Sequence, residues 1–185
     1  MFDRSAFWSP TPDWQQARLA GRALQLSALV LPVVWRLSGP EIRPALDELG
    51  LGQIVGPRDR CDVASYALRL APDSVLLVCD AAASARLREF GDHAGLILSE
   101  LSGGFVGIDL TGEDASELLQ LASEYPFTSA ADHPRESARM AFAGLPVAVM
   151  RRGNGWRLHA ERPWATALWR WLVEHANHNG KGGLS

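Results

Sequence analysis

Glycines set between a strand and a helix can offer bare backbone N–H groups to a phosphate, and residues 101–119, LSGGFVGIDLTGEDASELL, contain that combination. The spacing argues otherwise. Gly103 and Gly104 come before the apolar run, and only Gly112 stands between it and the helix, so neither GxGxxG nor GxxxxGK[ST] is spelled out. Glu113 and Asp114 follow Gly112 at once, where their charge repels an anion. The segment is read as a turn and a helix start, with Gly103 and Gly104 a hinge between two halves of the chain.

The other reactive side chains form no recognisable site. His175 and His178 have the i, i+3 spacing of a metal pair, but no acid or thiol partner is close in sequence. His133 lies between Asp132 and Glu136 in a polar stretch that reads as a solvated loop; His93 and His159 are the remaining histidines. No GxSxG occurs, and Ser38 and Thr111 are read as helix caps. Arg151, Arg152 and Arg157 flank a turn, where they could meet an acidic partner or a polyglutamyl tail; exposed strand and turn charges are the simpler reading. Cys61 and Cys79 are read as reduced, mostly buried thiols. No catalytic, cofactor-binding or metal-ligating residue is assigned.

The elements that would position such residues are clearer. The chain has 185 residues, 47% hydrophobic and 21% charged, with a formal charge of −3, which suits one medium domain or two small interleaved ones and no nucleic-acid partner. The start of the chain does not read as a signal peptide, and the longest apolar stretch, ALVLPVVW at 28–35, is short and broken by Pro32. The expected location is cytoplasmic.

Residues 1–26 are read as an extended arm with a short helix near Asp13–Ala20, residues 27–175 as one α+β domain with halves 27–95 and 96–175, and residues 176–185 as a flexible tail. Val33–Leu37 reads as a strand leading through Pro40 to a helix ending at Leu49, with Ile42, Ala45, Leu46 and Leu49 as its apolar stripe and Gly50 and Gly52 as its stop. Tyr66–Leu70 and Val75–Cys79 form a hairpin about APDS; a helix over Ala81–Phe90 and a strand near Leu96–Glu100 follow.

The second half repeats the plan. LTGEDASELLQLA aligns with LSGPEIRPALDEL without a gap, its stripe being Ala115, Leu118, Leu119 and Ala122, and VAVMRRGNGWRLHAE matches YALRLAPDSVLLVCD as strand, turn, strand. An additional strand, Arg139–Phe142, precedes AGLP. The unit strand–helix–hairpin–helix (a split βαβ unit) is thus expected twice, with helices packed on one side of mixed or antiparallel sheets. In the last helix Trp164, Leu168, Trp171 and Leu172 are read as a core face, and Trp169 needs a second surface, either another subunit or the arm. With seven tryptophans in the chain, Trp8, Trp14 and Trp169 are the candidate subunit-interface residues.

The segments LSGGFVGIDLTGEDASELL, RMAFAGLPVAVMRR and GWRLHAERPWATALWRWL resemble the gamma subunit of heterotetrameric sarcosine oxidase. The likeness covers about residues 30–175 and is most specific over 139–151 and 156–172; Phe142 stands where the family often has Leu and Trp164 where Phe is frequent. The resemblance implies a fold like the folate-binding aminomethyltransferase (T-protein). It implies a cytoplasmic complex with alpha, beta and delta subunits that oxidises sarcosine to glycine, passes the methyl carbon to tetrahydrofolate and reduces O2 to H2O2. FAD, FMN, NAD and folate would belong to the alpha and beta subunits and zinc to delta, leaving gamma without catalytic residues. Two alternatives stand beside it: a free-standing folate-binding aminomethyltransferase-like protein, and a structural subunit of a related oxidase of N-methyl or cyclic amino acids.

Overall fold

Several strands of this chain carry apolar residues on both faces, which is possible only if the sheet holding them is covered on both sides. Ser74–Cys79 is buried at every position. The computed structural model, which describes residues 11–21, 23–50, 53–57, 59–90, 95–127 and 137–179, shows what covers them.

The elements run in the order β1 (Arg18–Ala20), β2 (Gln25–Val30), β3 (Val33–Ser38), α1 (Ile42–Leu49), β4 (Gln53–Val55), β5 (Tyr66–Ala71), β6 (Ser74–Cys79), α2 (Ala81–Phe90), β7 (Ile97–Glu100), β8 (Phe105–Thr111), α3 (Ala115–Ala122), β9 (Arg139–Phe142), β10 (Leu145–Arg152), β11 (Gly155–Glu161) and α4 (Arg162–Asn179). They build a six-stranded antiparallel sheet, β1-β2-β8-β11-β10-β9, and a five-stranded mixed sheet, β4-β5-β6-β3-β7, in which only β4 and β5 run parallel. The fold is therefore mixed α+β, with two sheets and four helices.

Three apolar clusters give four layers. Val106, Ile108, Leu110, Trp156 and Leu158 of the six-stranded sheet pack on Leu118 and Leu119 of α3 and on Ala165, Leu168 and Leu172 of α4. Trp35, Leu37, Val75 and Leu77 of the five-stranded sheet pack on Ile42 and Leu46 of α1 and on Leu87 of α2. Between the sheets lie Leu31, Val34, Tyr66, Leu68, Leu76, Val78, Ala148 and Met150. Each fully buried Leu or Val contributes on the order of 1.5–3 kcal/mol relative to exposure.

The two strand orders correspond place by place: β2-β8-β11-β10-β9 against β7-β3-β6-β5-β4. Their edge strands are exchanged along the chain. Gln25–Val30 pairs with β8, and Ile97–Glu100 pairs with β3, so the chain passes between sheets at Leu31–Pro32 and again at Leu101–Gly104.

The helix expected near Asp13–Ala20 is instead a turn over residues 14–16 followed by β1, and the arm read over 1–26 gives way by Arg18 to a hairpin on the six-stranded sheet. Residues 1–10, with Trp8, lie outside the described residues. Helix α4 continues to Asn179, past the expected start of the tail, because its buried face carries it along the sheet. Ser38 and Thr111 cap neither helix: each is the last residue of its strand, and α1 and α3 each begin four residues later, after Glu41 and Asp114, without a side-chain cap. Asp114 therefore precedes α3, and Glu117 occupies its first turn. Gly50 ends α1 as expected, in the left-handed conformation at φ 61°, its N–H bonded to the carbonyls of Asp47 and Leu46; Gly52 lies outside the described residues.

Gly39 and Gly112 play a matching part at the ends of β3 and β8. Both have positive φ, 133° and 117°, and a Cβ on Gly39 would run into the carbonyl of Gly95, one on Gly112 into that of Ala23. Gly95 and Ala23 lead into the exchanged strands β7 and β2, so the bare backbone lets each of those strands enter. Gly144 also has positive φ, 77°, but open space around it. Gly112→Ala is expected to cost roughly 2–4 kcal/mol in urea unfolding, against about 1 kcal/mol for Gly144→Ala. Equal losses would refute the close approach.

Candidate functional site

The inner face of the six-stranded sheet is where the sequence places polar residues beside apolar ones. In β11, Trp156, Leu158 and Ala160 turn toward the helices, so alternation turns Arg157 and His159 toward the other sheet. Read alone, that pattern suggests charges in water; here the second sheet lies over them.

His159 is 1% exposed. Its Nδ1 is 3.3 Å from the Ala148 carbonyl oxygen, which can only accept, so Nδ1 carries the proton. Nε2 is then an acceptor and takes the Tyr66 O–H at 2.8 Å, a bond from one sheet to the other. Burial, and then the charges of Arg157 and Arg152, push the His159 pKa down to about 3, so the ring is neutral near pH 7. Burial likewise raises the Tyr66 pKa, keeping its proton in place to donate.

Arg157 faces Asp109 across β11 and β8 and binds it in bidentate fashion, at 2.6 and 2.7 Å. Burial works against its charge, but the Asp109 bonds outweigh that and hold the guanidinium protonated well above the ordinary range. The Arg157 charge partly offsets the effect of burial on Tyr66. Tyr66, His159 and the Ala148 carbonyl form a hydrogen-bonded chain through the inter-sheet layer, beside the Asp109–Arg157 pair. A histidine with both nitrogens engaged and its pKa so depressed is a poor general base at neutral pH; the chain supports shape.

Beside this network lies a pocket of about 60 Å³, open on one side to solvent. Leu70 and Leu76 of the five-stranded sheet and Phe105, Val147 and Ala148 of the other give it apolar walls, with the His159 ring at its base. Arg36, Arg139 and Glu161 are the charged groups that line it. A shallower groove continues from it along Ser99, Ser102, Gly104 and Pro163.

The residues singled out from sequence fall elsewhere or behave differently. His93, Asp132, His133 and Glu136 lie outside the described residues, as does the side chain of His178. His175 stacks on Trp171 at 4.0 Å between ring centres, and its Nδ1 donates to the Trp171 carbonyl at 2.8 Å. Cys61 and Cys79 are free and buried, and burial raises both thiol pKa values, that of Cys79 to about 11. The reading of three arginines as exposed charges is corrected. Of the three only Arg151 is exposed, and it lies over the Trp156 ring; Arg152 donates to the carbonyls of Cys61 and Val63, and Arg157 is the half-buried partner of Asp109.

Trp169 finds its second surface within the chain: Trp14 meets it edge to face at 6.4 Å and is itself 6% exposed. The segment around Trp14 therefore packs on its own domain. Trp164 does not join the core face assigned to it. The buried line of α4 is Ala165, Leu168 and Leu172, and Trp164, in the first turn beside that line, is 43% exposed. Trp171 is half-buried against Phe142. The Tyr66–His159–Arg157 network escaped sequence reasoning. Its one available signal was that β5 and β6 are apolar on both faces, which requires a sheet opposite them.

No family model matches the sequence, and no curated protein matches it. Among solved structures, a chain of the heterotetrameric sarcosine oxidase from Corynebacterium sp. U-96, in complex with pyrrole 2-carboxylate, has a TM-score of 0.71 at 23% identity, over 93% of this chain and 93% of that one. At that identity the likeness is one of fold. No helix among the described residues is long and apolar enough to cross a membrane.

The network sets a pH dependence of stability. His159 is neutral when folded, with a pKa of about 3, and titrates near 6.5 when unfolded. Below about 6.5 the unfolded chain binds the extra proton and the folded chain does not, so His159 makes stability fall with pH, by up to roughly 1.4 kcal/mol per unit, from about 6.5 toward 3. His159→Gln should flatten that slope in urea titrations between pH 6 and 4. An unchanged slope would mean the ring is protonated in the fold. Tyr66→Phe, which strands Nε2, should cost roughly 1–3 kcal/mol at pH 7.

Proposed function

We propose that this chain is the non-catalytic gamma subunit of a heterotetrameric sarcosine oxidase. The observation that carries the reading is the structural match to a chain of such an enzyme, which extends over 93% of both chains. The motif resemblance over 139–151 and 156–172 supports it independently of shape. On this reading the two corresponding sheets are the halves of a duplicated scaffold of the folate-binding aminomethyltransferase type, which the matching strand orders favour.

The assembly would oxidise sarcosine to glycine, transfer the methyl carbon to tetrahydrofolate and reduce O2 to H2O2. FAD, FMN and NAD would reside in the alpha and beta subunits and zinc in delta, with this chain holding none of them. Its working location would be the cytoplasm. The engagement of both His159 nitrogens and of Asp109 in structural bonds fits a chain whose task is to hold shape. Among the described residues Trp164, with much of its ring in solvent, is the most exposed tryptophan and would meet another subunit; Trp14 and Trp169 pack on each other.

Co-expression with neighbouring flavoprotein subunits should yield one co-purifying oxidase. Micromolar binding of tetrahydrofolate by the isolated chain, with no flavoprotein recovered, would favour the free-standing folate protein and sink the proposal. Trp164→Ala should weaken assembly in size-exclusion chromatography while changing the lone chain's stability by under about 0.5 kcal/mol. Trp14→Ala should do the reverse at first hand, costing the lone chain roughly 3 kcal/mol.

A further inference from the structure

We propose that the inter-sheet pocket is a binding site for a small carboxylate with an apolar body, its anion held by Arg36 and Arg139. The site is independent of the assembly reading above.

The pocket exists because the two crossings between sheets are filled differently. Ala28 pairs with Ile108 and Glu100 with Trp35, so the registers set Leu29 against Leu101 and Leu31 against Gly103. At the first crossing Leu29 and Leu31 fill the layer so closely that a Cβ on Gly107 would lie within 3.0 Å of both. Leu31 is 3% exposed. At the second crossing Gly103 and Gly104 bring no side chain, and the space left beside Leu101 and Phe105 is the pocket and its groove.

Its chemistry is set by position. The walls are apolar, and the His159 ring at the base has no free nitrogen, so nothing inside asks for a polar group. The charges are two guanidinium groups and one carboxylate, an excess of one positive charge. Arg36 spends its Nε on Ser74 Oγ at 3.3 Å, and neither Arg36 nor Arg139 forms an ion pair among the described residues. Arginine donors free of a carboxylate beside an apolar cleft suit a monovalent carboxylate whose body points inward. The pocket and the groove it opens into together leave room for a single-ring aryl or short branched acyl group.

Benzoate and its neutral analogue benzamide, titrated into the full-length chain and followed by amide NMR, test the site. Benzoate should shift the Phe105 and Ala148 signals, and benzamide should bind at least about tenfold more weakly. Arg36→Ala and Arg139→Ala, both at exposed positions, should each weaken benzoate by about tenfold with melting temperature unchanged, and Glu161→Gln should tighten it severalfold by removing the like charge. Equal binding of benzamide, titration of the arginine variants like the unaltered chain, or no benzoate-dependent shift would overturn the proposal, whatever the outcome of co-expression.

Discussion

Face-to-face burial of two sheets is the constraint on which this structure turns. Each sheet already covers one face with a helix pair, so placing the other faces together buries all of β6 and most of β5, β10 and β11. Any polar side chain that alternation sends inward must then find a partner without water. Asp109 and Arg157 satisfy each other within one sheet, and Tyr66 and His159 satisfy each other across the gap. Their bonds do more for register than for net stability. The Asp109–Arg157 pair is part-buried, its carboxylate reached by solvent, so it is weak evidence of stabilisation.

The same constraint separates what the sequence made legible from what it hid. Helices α1, α2 and α3 and the hairpins β5–β6 and β10–β11 were readable because their signals are local: an apolar stripe, a terminal glycine, a two-residue turn. Strand β2 was missed because QLSALV has no partner nearby in sequence other than a three-residue strand; its main neighbour, β8, is far along the chain. Which surface meets Trp14 was hidden for a related reason, since its ring neighbour Trp169 belongs to α4. Arg157 and His159 were misjudged because polar residues alternating with apolar ones indicate water only when the sheet has a wet face.

The glycine segment is the instructive case. Its spacing rightly spoke against a phosphate loop, and its separate glycines turn out to have separate reasons. Gly112 admits the backbone of Ala23, and Gly107 makes room for Leu29 and Leu31. Gly103 and Gly104 occupy the place where the corresponding crossing has Leu31. None of these causes is visible without the residues that approach them from elsewhere in the chain.

The exchange of edge strands has a consequence for the order in which the protein can be made. On the ribosome the chain emerges from its N-terminus, and β2 is among the first strands to appear. It can bond at once only to β1; its other edge stays bare until β8 has been synthesised. Strands β3 to β7, by contrast, supply the whole five-stranded sheet from one continuous span. That sheet with α1 and α2 is the part able to form during synthesis, while β2 waits as an unpaired edge for the second half to arrive. Long-range closure of this kind raises contact order and slows folding, and an open edge is a site of mispairing.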